Sequence, residues 1–94
     1  NSAQKVDAVF CANDIIGIGF IEGLKTHNQG GYKIIGVDDI PMASWPSYQL
    51  TTIKPPTDII CKSAVEDLLG RINGNNEKTG NYILFKGTLV ERAS

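Results

Sequence analysis

"KIIGVDDIP", residues 33–41, decides the fold. Lys33 to Val37 read as a strand with little polar alternation, and two carboxylates and a proline follow at once. A sheet with one wet face alternates polar and apolar positions. This run does not, so both of its faces are expected to be covered, as in a parallel sheet under its crossover helices. Such a strand has no reason to end on Asp38 and Asp39 unless its carboxyl end opens onto something polar.

Upstream, "VDAVFC" (6–11) reads as another short strand, stopping at "AND". Ile15, Ile18, Ile21 and Leu24 then recur every third residue, a helical spacing that predicts a helix over 14–26. Asn13 or Asp14 suits its N-cap, because a side-chain oxygen there can accept from an unpaired amide of the first turn. Gly17, Gly19 and Gly23 each cost about 1 kcal/mol relative to alanine in a helix interior, so tertiary packing must compensate. Gly19 and Gly23 share one face and would let another backbone approach. "HNQGG" (27–31) ends the helix.

Downstream, "DIPMASWPSYQ" (39–49) has no sustained period and predicts a loop, with a short helical turn near Met42 to Trp45. "LTTIK" (50–54) predicts a third strand, closed by Pro55 and Pro56. From Thr57 a long helix is expected, with Ile59, Ile60, Ala64, Leu68 and Ile72, or Val65 and Leu69, on a broad apolar face and a stop at Gly74. "NGNNEKTGN" (73–81) reads as a polar loop, and "YILFK" (82–86) and "TLVERAS" (88–94) as two more strands. Strands alternating with helices predict an α/β fold of three layers, a largely parallel sheet with flanking helices.

In such sheets, polar residues just past the carboxyl ends of the strands project into the crevice where ligands bind. Asn13 and Asp38 are therefore expected side by side on one rim, facing a shared solvent-open hollow. Asp14 or Asp39 is a further candidate for the same edge. Consecutive residues point in opposite directions, so Asp38 and Asp39 should divide the work, one facing the crevice and the other capping a turn or pairing with a base. Each residue also has a plain structural use: Asn13 as a helix cap, Asp38 in a turn, Trp45 as a plug at the edge of the core.

Totals exclude several classes of function. The chain has 94 residues, 41% of them hydrophobic and 20% charged, enough for one modest core. Nine basic and ten acidic residues are spread along the length, so no basic block could hold a phosphate backbone by itself. The longest apolar stretch, "IIGIGFI" (15–21), is far short of the roughly 18 residues of a membrane span. Cys11 and Cys61 have neither metal-ligand spacing nor a disulfide pattern, which suggests a reducing compartment. No metal or cofactor is expected, and no catalysis. His27 lies at the far end of the helix from Cys11 and cannot activate it. "GGYK" (30–33) precedes a strand, whereas a phosphate loop follows one. A magnesium-holding receiver domain would need another aspartate at a later strand end, and none occurs after Asp67.

Four stretches together bring a family into view. "DAVFCANDIIGIG" (7–19), "IIGVDDIPMA" (34–43), "LTTIKPP" (50–56) and "LVERAS" (89–94) stand in the order found in the effector-binding domain of LacI/GalR transcription regulators, and the resemblance covers nearly the whole chain. It implies a bilobed, periplasmic-binding-protein-like fold that closes on a small molecule, a sugar or sugar derivative, and passes that closure to an N-terminal DNA-binding head. The chain resembles only the last part of such a domain: residues 1–49 as the C-terminal lobe, and 50–94 as the crossover between lobes, the long helix and the final strands. By the same resemblance Asn13 and Asp38 contact effector, Trp45 is a weaker effector contact, and Ile15 and Ile18 belong to a homodimer interface. A cytoplasmic protein that meets DNA only through the absent head is implied. The competing expectation is a fragment of a transport-type periplasmic sugar-binding protein.

Overall fold

The computed structural model of the chain describes residues 5–74 and 83–94. Its elements are β1 (Ala8–Phe10), α1 (Asp14–Thr26), β2 (Lys33–Val37), a 3-10 turn (Pro41–Ser44), β3 (Thr51–Lys54), α2 (Thr57–Ile72) and β4 (Thr88–Val90). The four strands form one sheet in the order β1-β2-β3-β4. β1, β2 and β3 run parallel, and β4 is antiparallel to β3. The fold is thus α/β with a largely parallel sheet, as the alternation of patterns predicts.

The chain divides into two compact units. The first comprises residues 1–54 and 88–94, and the second 55–87. β3 is hydrogen-bonded to β2 and belongs to the first unit. Pro55 and Pro56, which lack the amide hydrogens a strand needs, mark where the chain leaves that sheet.

Within the first unit, Ile34 and Gly36 of β2 are buried while Ile35 and Val37 are half-buried, so the strand alternates more than its composition suggests. Cys11, Ile18, Ile34, Ala43 and Leu50 form the core, with Val9, Phe20, Ile21, Leu24 and Tyr32 packed around them. α1 enters this core through a small residue: a Cβ on Gly17 would stand 3.1 Å from Leu50 Cδ2. Gly17 therefore sets how close α1 lies to its neighbours, which offsets its poor helix propensity. Gly19 and Gly23 have open space where their side chains would be, so among the described residues no backbone approaches that face.

One expectation for a single residue is corrected here. Ile18, assigned to a subunit interface, is 8% exposed and belongs to the chain's own core. Ile15, one turn earlier, is 62% exposed. The spacing of three placed both on one stripe, but three residues cover only 300° of a helix, so such a stripe drifts off the core face.

In the second unit α2 begins at Thr57 as expected, with Asp58 in its first turn and Arg71 in its last, both favourable to the helix dipole. Arg71 Nε donates to Asp67 Oδ2 at 2.9 Å, an exposed pair one turn apart. Pairs of this kind contribute about 0.3–0.5 kcal/mol. None of its residues is buried; Ile59, Leu68 and Ile72 are each more than half exposed. The strand expected over 82–86 is not formed: Ile83–Lys86 are irregular, and Tyr82 and most of the polar run 73–81 lie outside the described residues. β-forming side chains make a strand only where an edge accepts them, and the edge of β3 is taken by Thr88–Val90.

The two cysteines differ in a measurable way. Cys11 is buried, and desolvation raises its thiol pKa, while Cys61 is exposed on α2. A raised pKa means less thiolate at a given pH, and the thiolate is the nucleophile. At pH about 8, iodoacetamide is expected to label Cys61 alone in the native protein and to reach Cys11 only in denaturant. Labelling of both thiols at equal rates in the folded state would contradict this burial.

Candidate functional site at the carboxyl edge of the sheet

The parallel pairing of β1 and β2 sets Phe10 against Ile35, and Cys11 N–H extends the ladder by donating to Ile35 O at 2.8 Å. The parallel pairing of β2 and β3 continues the same way, with Asp38 N–H donating to Ile53 O at 2.9 Å. "AND" and "DD" therefore leave the sheet from the same edge, on neighbouring strands. That much of the sequence expectation for Asn13 and Asp38 is met by topology.

Asn13 is the N-cap of α1. Its extended backbone (φ −155°) lets Oδ1 accept from Ile16 N–H at 2.9 Å. With the carbonyl oxygen so engaged, the two amide hydrogens on Nδ2 are the end of the side chain left for a ligand.

Asp38 is exposed, and among the described residues its carboxylate has no hydrogen-bond partner. Its φ is +121°, and Asp39 follows at +56°. A non-glycine residue so far from the allowed regions costs on the order of 1–3 kcal/mol and persists only where its surroundings hold it. The surroundings are specific. Asp39 N–H reaches Thr52 Oγ1 at 3.3 Å, and Ile40 N–H donates to Asp14 Oδ2 at 2.9 Å. Asp39 also accepts from Arg92 Nη2 at 2.7 Å, and each of the two side chains is 16% exposed. The two adjacent carboxylates do divide the work: Asp39 pairs with a base, and Asp38 projects outward.

Asp14 is fully buried. Besides accepting from Ile40 N–H, it accepts from Thr52 Oγ1 at 2.6 Å through its other oxygen. It also stands directly over Gly36, where a Cβ would overlap its Oδ1. Asp14 is thus committed to joining α1, β3 and the turn after β2, and is not a ligand group.

Trp45, from which a weaker effector contact was expected, is 51% exposed at the end of the 3-10 turn. Its ring stacks on Tyr48 (centroids 6.5 Å apart, 24° between planes), and Lys25 Nζ lies 5.2 Å from the Tyr48 ring centroid. Two described hollows lie away from the carboxyl edge. One, of about 260 Å³, is lined by Leu24, Lys25, Gly31, Tyr32, Tyr48 and Ser94, beside the amino end of β2. The other, of about 570 Å³, runs along α1 past Gly19, Gly23 and His27. The hollow expected in front of Asn13 and Asp38 is neither of these.

A family model for the periplasmic binding protein-like domain matches residues 2–94. The chain belongs to this family. The ribose operon repressor of Haemophilus influenzae is 38% identical to it over 98% of this chain and 28% of that protein. The transcriptional regulator GalS of Salmonella typhimurium is 34% identical over 96% of this chain and 27% of that protein. Among solved structures, a LacI-type transcription regulator from Bifidobacterium animalis subsp. lactis aligns with a TM-score of 0.78 at 33% identity, over 92% of this chain and 31% of that one. A LacI-family regulator from Enterococcus faecium with bound ribose aligns with a TM-score of 0.79 at 26% identity, over 95% of this chain and 34% of that one. This periplasmic-binding-protein-like chain therefore spans about 28% of the length of its first curated relative. The LacI/GalR resemblance carried by "AND", "VDD", "LTTIKPP" and "LVERAS" is confirmed by these relatives.

Sequence reasoning had passed over Gly36, Thr52 and Arg92. Gly36 carried a readable signal, since glycine inside a strand marks a close approach by another group. Thr52 and Arg92 carried none, because their partners lie 38 and 53 residues away in the chain.

Proposed function

We propose that the chain is the ligand-sensing segment of a sugar-responsive transcription regulator. Asn13 Nδ2 and the Asp38 carboxylate read the hydroxyl pattern of a sugar: the amide donates to hydroxyl oxygens, and the carboxylate accepts from two hydroxyls at once. The observation that carries this reading is the Asp38 carboxylate, held outward by a costly backbone conformation at the edge where open parallel sheets bind ligands. The wall facing it in the intact protein is the second lobe, so the binding hollow forms only between lobes. Support comes from the relatives, one named for the ribose operon and one solved with ribose bound.

The mechanism is a population shift. An effector that binds the closed lobe arrangement better than the open one biases the equilibrium by that difference in affinity, and DNA-binding heads attached to the lobes follow. In this reading the regulator is a cytoplasmic homodimer, with Ile15 at the subunit contact and Trp45 as a secondary wall of the site, and it meets DNA through a separate head.

The test uses the intact regulator, its operator and a panel that includes ribose and galactose. Asp38→Asn is expected to raise the sugar concentration for half-maximal response at least tenfold and to leave operator binding without sugar in place. A hydrogen bond to a charged group is worth about 1.5–3 kcal/mol, one to two powers of ten in affinity. An unaltered dose-response in the variant would remove Asp38 from the site.

A further inference from the structure

We infer that Arg92 is a positioning residue for Asp38, acting through Asp39; this rests on the reading of Asp38 as an effector contact. Arg92 Nη1 donates to Leu50 O at 2.8 Å while Nη2 donates to Asp39 Oδ1 at 2.7 Å. Its own backbone is fixed as well, because Arg92 N–H donates to Thr51 Oγ1 at 3.0 Å. The guanidinium is thus tied at one end to the start of β3 and grips the DD turn with the other.

That grip matters because Asp38 and Asp39 both have positive φ. The backbone amides of 38, 39 and 40 are each held by Ile53 O, Thr52 Oγ1 and Asp14 Oδ2. Those bonds fix where the turn runs. Among the described residues only the Asp39 carboxylate of the two is anchored, and its anchor is Arg92, in a pair largely shielded from solvent. With Asp39 held inward by Arg92, the neighbouring Asp38 side chain stays exposed at the tip of the turn. Were Arg92 unable to hold Asp39, that carboxylate would gain by turning toward water, and the turn could relax to ordinary negative φ with Asp38 displaced. Arginine suits the task because its planar fork holds two acceptors at once, which a lysine ammonium does less rigidly.

Two readouts on the intact regulator test this. Amide hydrogen exchange requires no ligand: Arg92→Gln is expected to speed exchange at Asp39 and Ile40 at least tenfold, while Ile34 to Val37 stay within twofold of wild type. Asp39→Asn should reproduce the effect, and Arg92→Gln with Asp39→Asn should be no worse than either alone. Arg92→Lys, which keeps the charge, should restore most of the protection. The second readout is the ribose or galactose dose-response, where Arg92→Gln should shift the half-maximal concentration at least tenfold without altering operator affinity in the absence of sugar. Unchanged exchange at Asp39 and Ile40, or equal acceleration throughout β2, would overturn the positioning role. A normal dose-response despite faster exchange at the turn would overturn it too. If the wild-type protein answers to no sugar, the reading of Asp38 as an effector contact fails separately, while exchange still decides whether Arg92 holds the turn.

Discussion

Gly36→Ala is expected to destabilise the domain by about 3–5 kcal/mol. The new Cβ would overlap Asp14 Oδ1 and stand 3.2 Å from Asp14 Cα and 3.1 Å from Leu50 Cδ2. A flexible side-chain end could move aside, but the Cα belongs to the first turn of α1 and the oxygen is held by Thr52. Overpacking typically costs about 1–3 kcal/mol, and displacing the Asp14 carboxyl from its buried donors adds about 1–3 kcal/mol for each group left unsatisfied. Against a total stability on the order of 5–15 kcal/mol, the variant should be marginally folded. Urea denaturation at constant slope is the measurement; an unfolding free energy within about 1 kcal/mol of wild type would mean that α1 can shift freely away from β2.

Asp14→Ala should cost a similar amount, about 3–5 kcal/mol, for the opposite reason. It leaves too little where Gly36→Ala puts too much. The buried Thr52 hydroxyl and the part-buried Ile40 N–H both lose their acceptor, and the volume of the carboxyl is left as a void. Asp14→Asn should be milder, because its oxygen can still accept from Ile40 N–H while its amide faces Thr52 Oγ1, at the loss of one good hydrogen bond. The two substitutions should also be coupled: once Asp14 is alanine, the clash of its oxygen with a Cβ at position 36 is gone. A double-mutant cycle is expected to show a coupling of about 1–3 kcal/mol, and strict additivity would show that Gly36 and Asp14 act independently. Since Asp14 holds Ile40 N–H, both variants should also weaken the proposed sugar response through the DD turn.

The elements were legible because they depend on neighbours in the chain. The limits of α1 and β2 follow from local spacing and from caps such as Asn13, and Pro55 and Pro56 stop β3 whatever surrounds it. Where a decision belonged to a distant partner, local reading failed. Ile83–Lys86 have the composition of a strand yet are irregular, and α2 has an amphipathic pattern without a single buried residue. Ile15 and Ile18 share a spacing rule, yet only one meets the core.

By itself the sequence determined the α/β class, the edge of the sheet where polar groups gather, and the family, because order and periodicity are properties of the chain. Only the tertiary structure decided which functional groups of the four polar residues on that edge stay free. Asp14 is consumed by Thr52 and Ile40, Asp39 by Arg92 and the carbonyl of Asn13 by its own helix, while the Asp38 carboxylate has no such partner among the described residues. The physical reason is that a side chain's use depends on which donors fold brings within about 3 Å of it, and those donors lie up to 53 residues away.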